Sequence, residues 1–317
     1  MPRILRILVA VVLTAAVFYL AHPADVLRAA AGADLRWLAV AVASVLVDRT
    51  LMAMRWLDLL VALTPGSRPR FGSVLRIFFV SSFVSNFVPS VAADMYRAFA
   101  LARHDVHLAE STASVLMDRM LGVLSMVLVG AVALLVAPAA GLGRGVIVSL
   151  AVAFAACAAV GFVVFSERGA AAVLRVARVV PSSWLQRITS SLVDAVRRYA
   201  HHRTELMRVL AMSIAVQVIR IVQAWCLGEA LGIDLPLATY FAIMPVILLI
   251  MQVPITINGL GTTQVAFVTL FSANGIEPVP ATALSILFLV LGVVGTLPGG
   301  VIYAFAGAPA RPGAQAS

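Results

Sequence analysis

The sequence predicts an all-α polytopic membrane protein with six transmembrane helices, two broken or re-entrant helical hairpins, and both termini in the cytoplasm. Three observations carry that expectation. Of the 317 residues, 62% are apolar and only 12% charged, where soluble domains carry about a quarter charged residues. The apolar residues fall in runs close to the ~20 that a helix needs to cross a bilayer. The arginines gather on alternate connections, as the positive-inside rule requires of cytoplasmic loops.

The runs place membrane helices at 4–20, 37–61, 111–136, 146–165, 208–230 and 281–305. In the first, an apolar run to Leu20 follows Arg3 and Arg6 in the manner of a signal peptide. The following Ala21-His22-Pro23-Ala24-Asp25 is a poor cleavage context and further spans succeed it, so the segment reads as an uncleaved first helix. Two other apolar segments are interrupted. Phe71 to Arg103 breaks around Pro89-Ser90-Val91-Ala92-Ala93, and Leu237 to Asn274 breaks around Pro254 to Gly261. The second is long enough for two full spans, which leaves the topology unchanged. Between two helices, Trp184, Ile188, Leu192, Val196 and Tyr199 recur at helical spacing opposite Arg187, Asp194, Arg197 and Arg198. This pattern predicts an amphipathic helix on the cytoplasmic face of the membrane, with partner docking as the alternative. Residues 1–306 form one integral membrane domain, with repeats at about 4–136 and 146–305 and a linker at 166–207; residues 307–317 read as a disordered tail.

The net charge is +9, and every basic residue is Arg. In this setting the charge answers anionic lipid rather than nucleic acid. With the N-terminus inside, external segments hold only Arg28, Arg36 and Arg144, together with the acidic Glu229, Asp234 and Glu277. Cys157 and Cys226 sit in separate apolar runs and the five histidines are scattered, so neither a disulfide framework nor a metal site is indicated. No cofactor is expected.

The two interrupted segments are also related. Pro89 and Pro254 lie 165 residues apart, His104-Asp105-Val106 and Asn274-Gly275-Ile276 lie 170 apart, and Arg55-Trp56 matches Ala224-Trp225 at 169. The first segment starts and ends near cytoplasmic Arg, the second near external acids. That makes an inverted-topology repeat, an architecture common among secondary transporters.

A proline break frees backbone carbonyls that lipid cannot satisfy, so it persists only beside protein or a wet cavity. Ser90 can cap a helix running toward Arg103, and Thr256 or Asn258 one that begins at Gly259. Two such helix N-termini meeting near the midplane form a cradle for an anionic group such as a lipid phosphate. Gly259 and Gly261 let a ligand approach the backbone. The alternative is that these prolines and glycines only permit close helix packing.

Ionisable residues at membrane depth usually face a cavity or a partner. Asp94 and Arg97, at i and i+3 just after the first break, share a helix face and can pair. Arg49 and Arg220 lie well inside their spans and read as functional. Arg119 is balanced between the two readings, and Arg55 beside Trp56 reads as snorkelling to the interface. Asp48 with Arg49, and Asp118 with Arg119, are adjacent and point about 100° apart, so neither pair need be a salt bridge.

Three stretches give the chain a family likeness: Pro89-Ser-Val-Ala-Ala-Asp94-Met-Tyr-Arg97, Ala113-Ser-Val-Leu-Met-Asp118-Arg119 and Asn258-Gly-Leu-Gly261-Thr-Thr-Gln264. From about Leu35 to Phe305 the chain resembles the flippase-like transmembrane domain family of the lysylphosphatidylglycerol synthases. Family members show Gly-Gly-Asp-x-x-Arg, Val-x-x-Asp-Arg and Gly-Leu-Gly-x-Arg-Glu at these places. Here Ala92-Ala93 replace the glycines, and Thr263-Gln264 replace Arg-Glu, which removes both charges from that tip. The resemblance implies translocation of lipids or handling of lipid-linked sugars. With no synthase domain after Arg311, lysylphosphatidylglycerol synthesis is not expected.

The expected function is thus movement of a phosphate-bearing (glyco)lipid or polyprenyl-phosphate-linked headgroup across a prokaryotic inner membrane. Ser90, Asp94, Arg97, Asp118 and Arg119 would guide the headgroup from the cytoplasmic side. Asn258, Gly259, Gly261 and Gln264 would receive it, with Arg49 and Arg220 also in the site, and no catalytic residue is assigned. The expected partners are a phospholipid or lipid-linked substrate, the membrane, and a lipid-modifying or glycosyltransferase enzyme. The alternatives are a membrane glycosyltransferase, for which the external acids are sparse and unclustered, and an accessory scaffold of a lipid-biosynthesis complex.

Overall fold

A computed structural model describes residues 32–64, 70–88, 90–102, 107–136, 166–179, 183–252 and 261–305, with a few isolated positions between 148 and 162. Every regular element among them is helical. The expected helix at 4–20, nearly all of that at 146–165, the 307–317 tail, and Asn258 and Gly259 lie outside the described residues.

Among the described residues, four stretches are long and apolar enough to cross a membrane: Leu35–Leu63, Leu108–Ala133, Arg203–Ala230 and Pro278–Phe305. They coincide with the expected spans at 37–61, 111–136, 208–230 and 281–305. In chain order the helices are α1 (Leu35–Leu63), α2 (Phe71–Val84), α3 (Ser90–Ala102), α4 (Leu108–Val136), α5 (Glu167–Val179), α6 (Ser183–Arg198), α7 (Arg203–Ala230), α8 (Leu237–Gln252), α9 (Thr262–Ser272), α10 (Pro278–Val294) and α11 (Leu297–Phe305). Asp34 opens α1 by accepting the Arg36 N–H at 2.8 Å, and the helix stops at Thr64, the residue before Pro65. The last span is interrupted at Gly295-Thr296. Pro298 lacks the N–H that would continue the ladder across that point.

A long helix, two short ones and a long one follow each other twice. Helices start at 35, 71, 90 and 108, and again at 203, 237, 262 and 278, which is 166 to 172 residues later. The two long helices that open these groups, α1 and α7, pack along each other. The short α2 and α3 lean on α1, α4 and α11, while α8 lies against α4 and α7 and α9 against α10.

Inside lipid, helices gain little from hiding apolar surface and associate through close packing and polar contacts. Both are present. At Gly299 an added Cβ would overlap the backbone of Phe79, and at Gly295 the side chain of Val45, so these glycines set how closely α11 meets α2 and α10 meets α1. A large apolar cluster joins α1, α4, α7, α8, α9 and α10.

The amphipathic helix forms as α6, but its apolar stripe is covered by protein rather than lipid over its described part. Val193, Ala195, Val196 and Tyr199 are buried against Leu59, Ala113, Met117 and Val209 at the ends of α1, α4 and α7. Tyr199 donates its hydroxyl to the Leu59 carbonyl at 2.8 Å, and burial pushes its phenol pKa well above the ordinary value. Arg198 secures the same dock through Glu110 at 2.8 Å. The side chains of Trp184 and Ile188 lie outside the described residues.

Candidate functional site

The polar residues of the long helices recur at helical spacing. On α1 they include Asp48 and Arg55, with Met52 between them in the same row; on α4, Ser114, Asp118 and Ser125, with Gly122 in that row; on α7, Ser213, Gln217 and Arg220. Each set lies on one face of its helix. Where α1, α4 and α7 pack together, the three faces converge, and the short helices close the space with the residues beside their breaks. The result is a cavity of about 270 Å³ lined, among the described residues, by five arginines and three aspartates and by no other ionisable side chain. Ser85 and Asn86 enter from the end of α2, Ala93, Asp94 and Arg97 from α3, Met251 and Gln252 from the end of α8, and Thr296 from the α10–α11 turn.

Arg55 donates to Asp118 at 2.7 Å and to the Ser213 hydroxyl at 3.1 Å. Arg220 donates to Asp48 at 3.1 Å, joining α7 to α1. Arg119 donates to Asp94 at 2.7 Å and to the Gln252 carbonyl oxygen at 2.7 Å. That one side chain on α4 therefore holds the flanks of both interrupted segments. Arg97 stacks on the Trp56 ring at 4.3 Å and faces Phe78 at 5.2 Å. Its contacts with Asp94, at 3.6 Å, and Asp118, at 3.5 Å, are longer. Arg49 reaches the Gly292 carbonyl at 3.2 Å and stands 3.8 Å from Asp48. Trp56, the platform beneath Arg97, is held by its indole N–H donating to Ser114.

The adjacent residues Asp118 and Arg119 serve different partners, as their 100° separation requires. The expected snorkelling of Arg55 is overturned. Its side chain is 4% exposed, and it forms the deepest ion pair of the cavity. An arginine two turns from Asp48 and on the same face could have been placed there from spacing alone. Asp48, Gln217, Gln223 and Gln252 also line the cavity and were absent from the expected set.

Of the third expected motif only Gly261 to Gln264 is described, and that part stands apart from the cavity. Gly261 and Gln264 do not line the cavity. Gly261 takes φ +83°, a left-handed value that disfavours any Cβ, so α9 starts at Thr262 and not at Gly259. The Gln264 side chain is occupied in accepting the Gly261 N–H at 2.6 Å. Ser90 begins α3, the second tip at 253–260 lies outside the described residues, and the positive charge of the described cavity is supplied by guanidiniums.

On its outer side the bundle carries a second hollow of about 430 Å³ between α4, α7 and α8. Leu128, Val129, Val132, Ala133, Ile214, Val218, Ala238 and Phe241 line it. Among the described residues no group of three or more His, Cys, Asp or Glu is placed to hold a metal ion.

Long apolar helices around a charged central cavity define a multi-pass membrane protein. The chain matches the family described as the lysylphosphatidylglycerol synthase TM region over residues 3–299, and it belongs to that flippase-like family. The match begins well before Leu35, so the N-terminal apolar segment is part of the family region. No curated protein and no solved structure matches the chain.

Proposed function

We propose that this protein carries a phosphate-bearing lipid across a prokaryotic inner membrane, with its headgroup in the Arg–Asp cavity and its hydrocarbon chain along the apolar hollow outside. The observation that carries this reading is Arg119, which ties Asp94 and Gln252 together inside a cavity with more arginines than aspartates. A buried excess of positive charge is costly unless an anion answers it. The apolar hollow shares α4 and α7 with that cavity, which supports an amphipathic ligand rather than a free anion.

The short helices support a re-entrant arrangement of six spans and two hairpins. At 1.5 Å per residue, the 14 residues of α2 extend about 21 Å and the 11 of α9 about 16 Å, short of the ~30 Å hydrocarbon core. With the termini cytoplasmic, the two hairpins enter from opposite faces and their halves rock around the shared site.

The test uses proteoliposomes containing fluorescently labelled phosphatidic acid and phosphatidylglycerol, with transbilayer exchange read by dithionite quenching. The protein should accelerate exchange of at least one of them tenfold or more over protein-free vesicles. Arg119→Gln should bring the rate back to that of protein-free vesicles, with helicity and elution profile unchanged. Exchange no faster than in protein-free vesicles for either lipid would overturn the reading.

A further inference from the structure

The cavity's three aspartates each hold one arginine closely. Asp118 has Arg55 at 2.7 Å, Asp94 has Arg119 at 2.7 Å, and Asp48 has Arg220 at 3.1 Å. Arg49 and Arg97 are what remains. Their nearest carboxylate contacts are 3.8 Å and 3.5 Å, both to aspartates already paired with another arginine. The Nε of each is buried and has no hydrogen-bond partner among the described residues. The Arg97 side chain is only 7% exposed.

The surplus is divided between two places. Arg49 stands beside the Asp48–Arg220 pair, joining α1 to α7, and Arg97 stands between the Asp94 and Asp118 pairs on α3 and α4. Among the described residues, each group therefore carries one positive charge more than its carboxylates answer, turned toward the same cavity. A phosphodiester brings one negative charge and would leave the other arginine unanswered. A phosphomonoester carries about −1.5 to −2 near neutral pH, and a diphosphate presents its charge over two phosphoryl groups. At about 270 Å³ the cavity has room for several waters of ~30 Å³ each, or for such a headgroup in their place.

We infer that the cavity selects a lipid whose headgroup is a dianionic phosphate, phosphomonoester or diphosphate, over one with a singly charged phosphodiester. The inference rests on the lipid-carrier reading above and narrows its substrate. Loss of either surplus arginine orphans no aspartate, because Asp48 keeps Arg220, Asp118 keeps Arg55 and Asp94 keeps Arg119.

The experiment is calorimetric titration of the full chain in detergent with dioctanoyl phosphatidic acid, farnesyl diphosphate and dioctanoyl phosphatidylglycerol. The unmodified protein should bind one or both of the first two at least tenfold more tightly than the third. Arg49→Gln and Arg97→Gln should each shrink that preference below threefold. Tight binding of phosphatidic acid alone assigns a monoester, and of farnesyl diphosphate alone a diphosphate. Equal affinity for all three overturns the dianion inference and leaves the carrier reading standing. Binding of none by protein that retains its helicity overturns both.

Discussion

Among the described residues, the segment around 85–97 brings a carboxylate and a guanidinium to the cavity, whereas the segment around 252–264 brings the Gln252 amide and no charged group. Both interrupt a pair of short helices, and both sit at the same place in the long–short–short–long succession. Yet Asp94 and Arg97 point into the cavity, while Gln252 contributes only a neutral acceptor for Arg119, and Gln264 turns back to cap its own helix. The difference shows how one backbone pattern can be loaded asymmetrically. An amide can orient a guanidinium without cancelling its charge, so the second segment fixes Arg119 and keeps the surplus available to a ligand.

The sharpest way to break this comparison is to remove the carboxylate that organises the first half. Asp118 accepts from Arg55 and Arg97 at once and is almost fully buried. Asp118→Asn leaves Arg55 without its charge partner, and breaking a buried pair from one side costs about 3–5 kcal/mol. Thermal unfolding in detergent should show a large loss of stability or a collapse of the monodisperse fraction. Adding Arg55→Gln to Asp118→Asn should recover part of the loss. A single variant as stable as the parent would mean the pair is solvated and the cavity wet throughout.

A smaller effect sharpens the contrast between amide and carboxylate. Gln252→Glu puts a negative charge 2.7 Å from the Arg119 guanidinium and cancels part of the cavity's surplus. Affinity for dioctanoyl phosphatidic acid should fall about tenfold, equivalent to ~1.4 kcal/mol. Stability should hold or rise, since the new carboxylate has a cation waiting. Undiminished affinity would show that the surplus charge of the cavity does not govern binding.

Much of this is legible in the sequence. Apolar run lengths gave the four long helices, because crossing hydrocarbon imposes a length on any sequence. The Pro89 break was visible because proline cannot donate into a helix. Asp94 and Arg97 followed from their i, i+3 spacing. Arg55 is not legible in this way because a neighbouring Trp is an equally good sign of an interface, and only the packing of α1 on α4 and α7 decides which way that face turns. The i, i+4, i+7 stripes on three helices held the missing information, since a polar stripe on one helix of a bundle demands matching stripes on its neighbours. Gln252 and Gln264 differ for another reason. Which of two amides near a break reaches the cavity depends on the backbone path between them, and side-chain chemistry says nothing about that.

The smallest expected effect tests the last of these distinctions. Gln264 accepts the Gly261 N–H at 2.6 Å and holds the first turn of α9, half of a reciprocal capping arrangement whose other half glycine cannot supply. Gln264→Ala should cost on the order of 0.5–1 kcal/mol, measurable as a small decrease in thermal midpoint, with lipid affinity unchanged because the side chain does not line the cavity. Gln264→Glu keeps an acceptor for the same N–H and adds a negative charge at a helix N-terminus, where the macrodipole favours it. Its midpoint should equal or exceed that of the parent, again without a change in affinity. If Gln264→Glu instead weakened binding as strongly as Gln252→Glu, the second tip would have to swing into the cavity during the cycle. The asymmetry between the two segments would then belong to one conformation of the carrier and not to its mechanism.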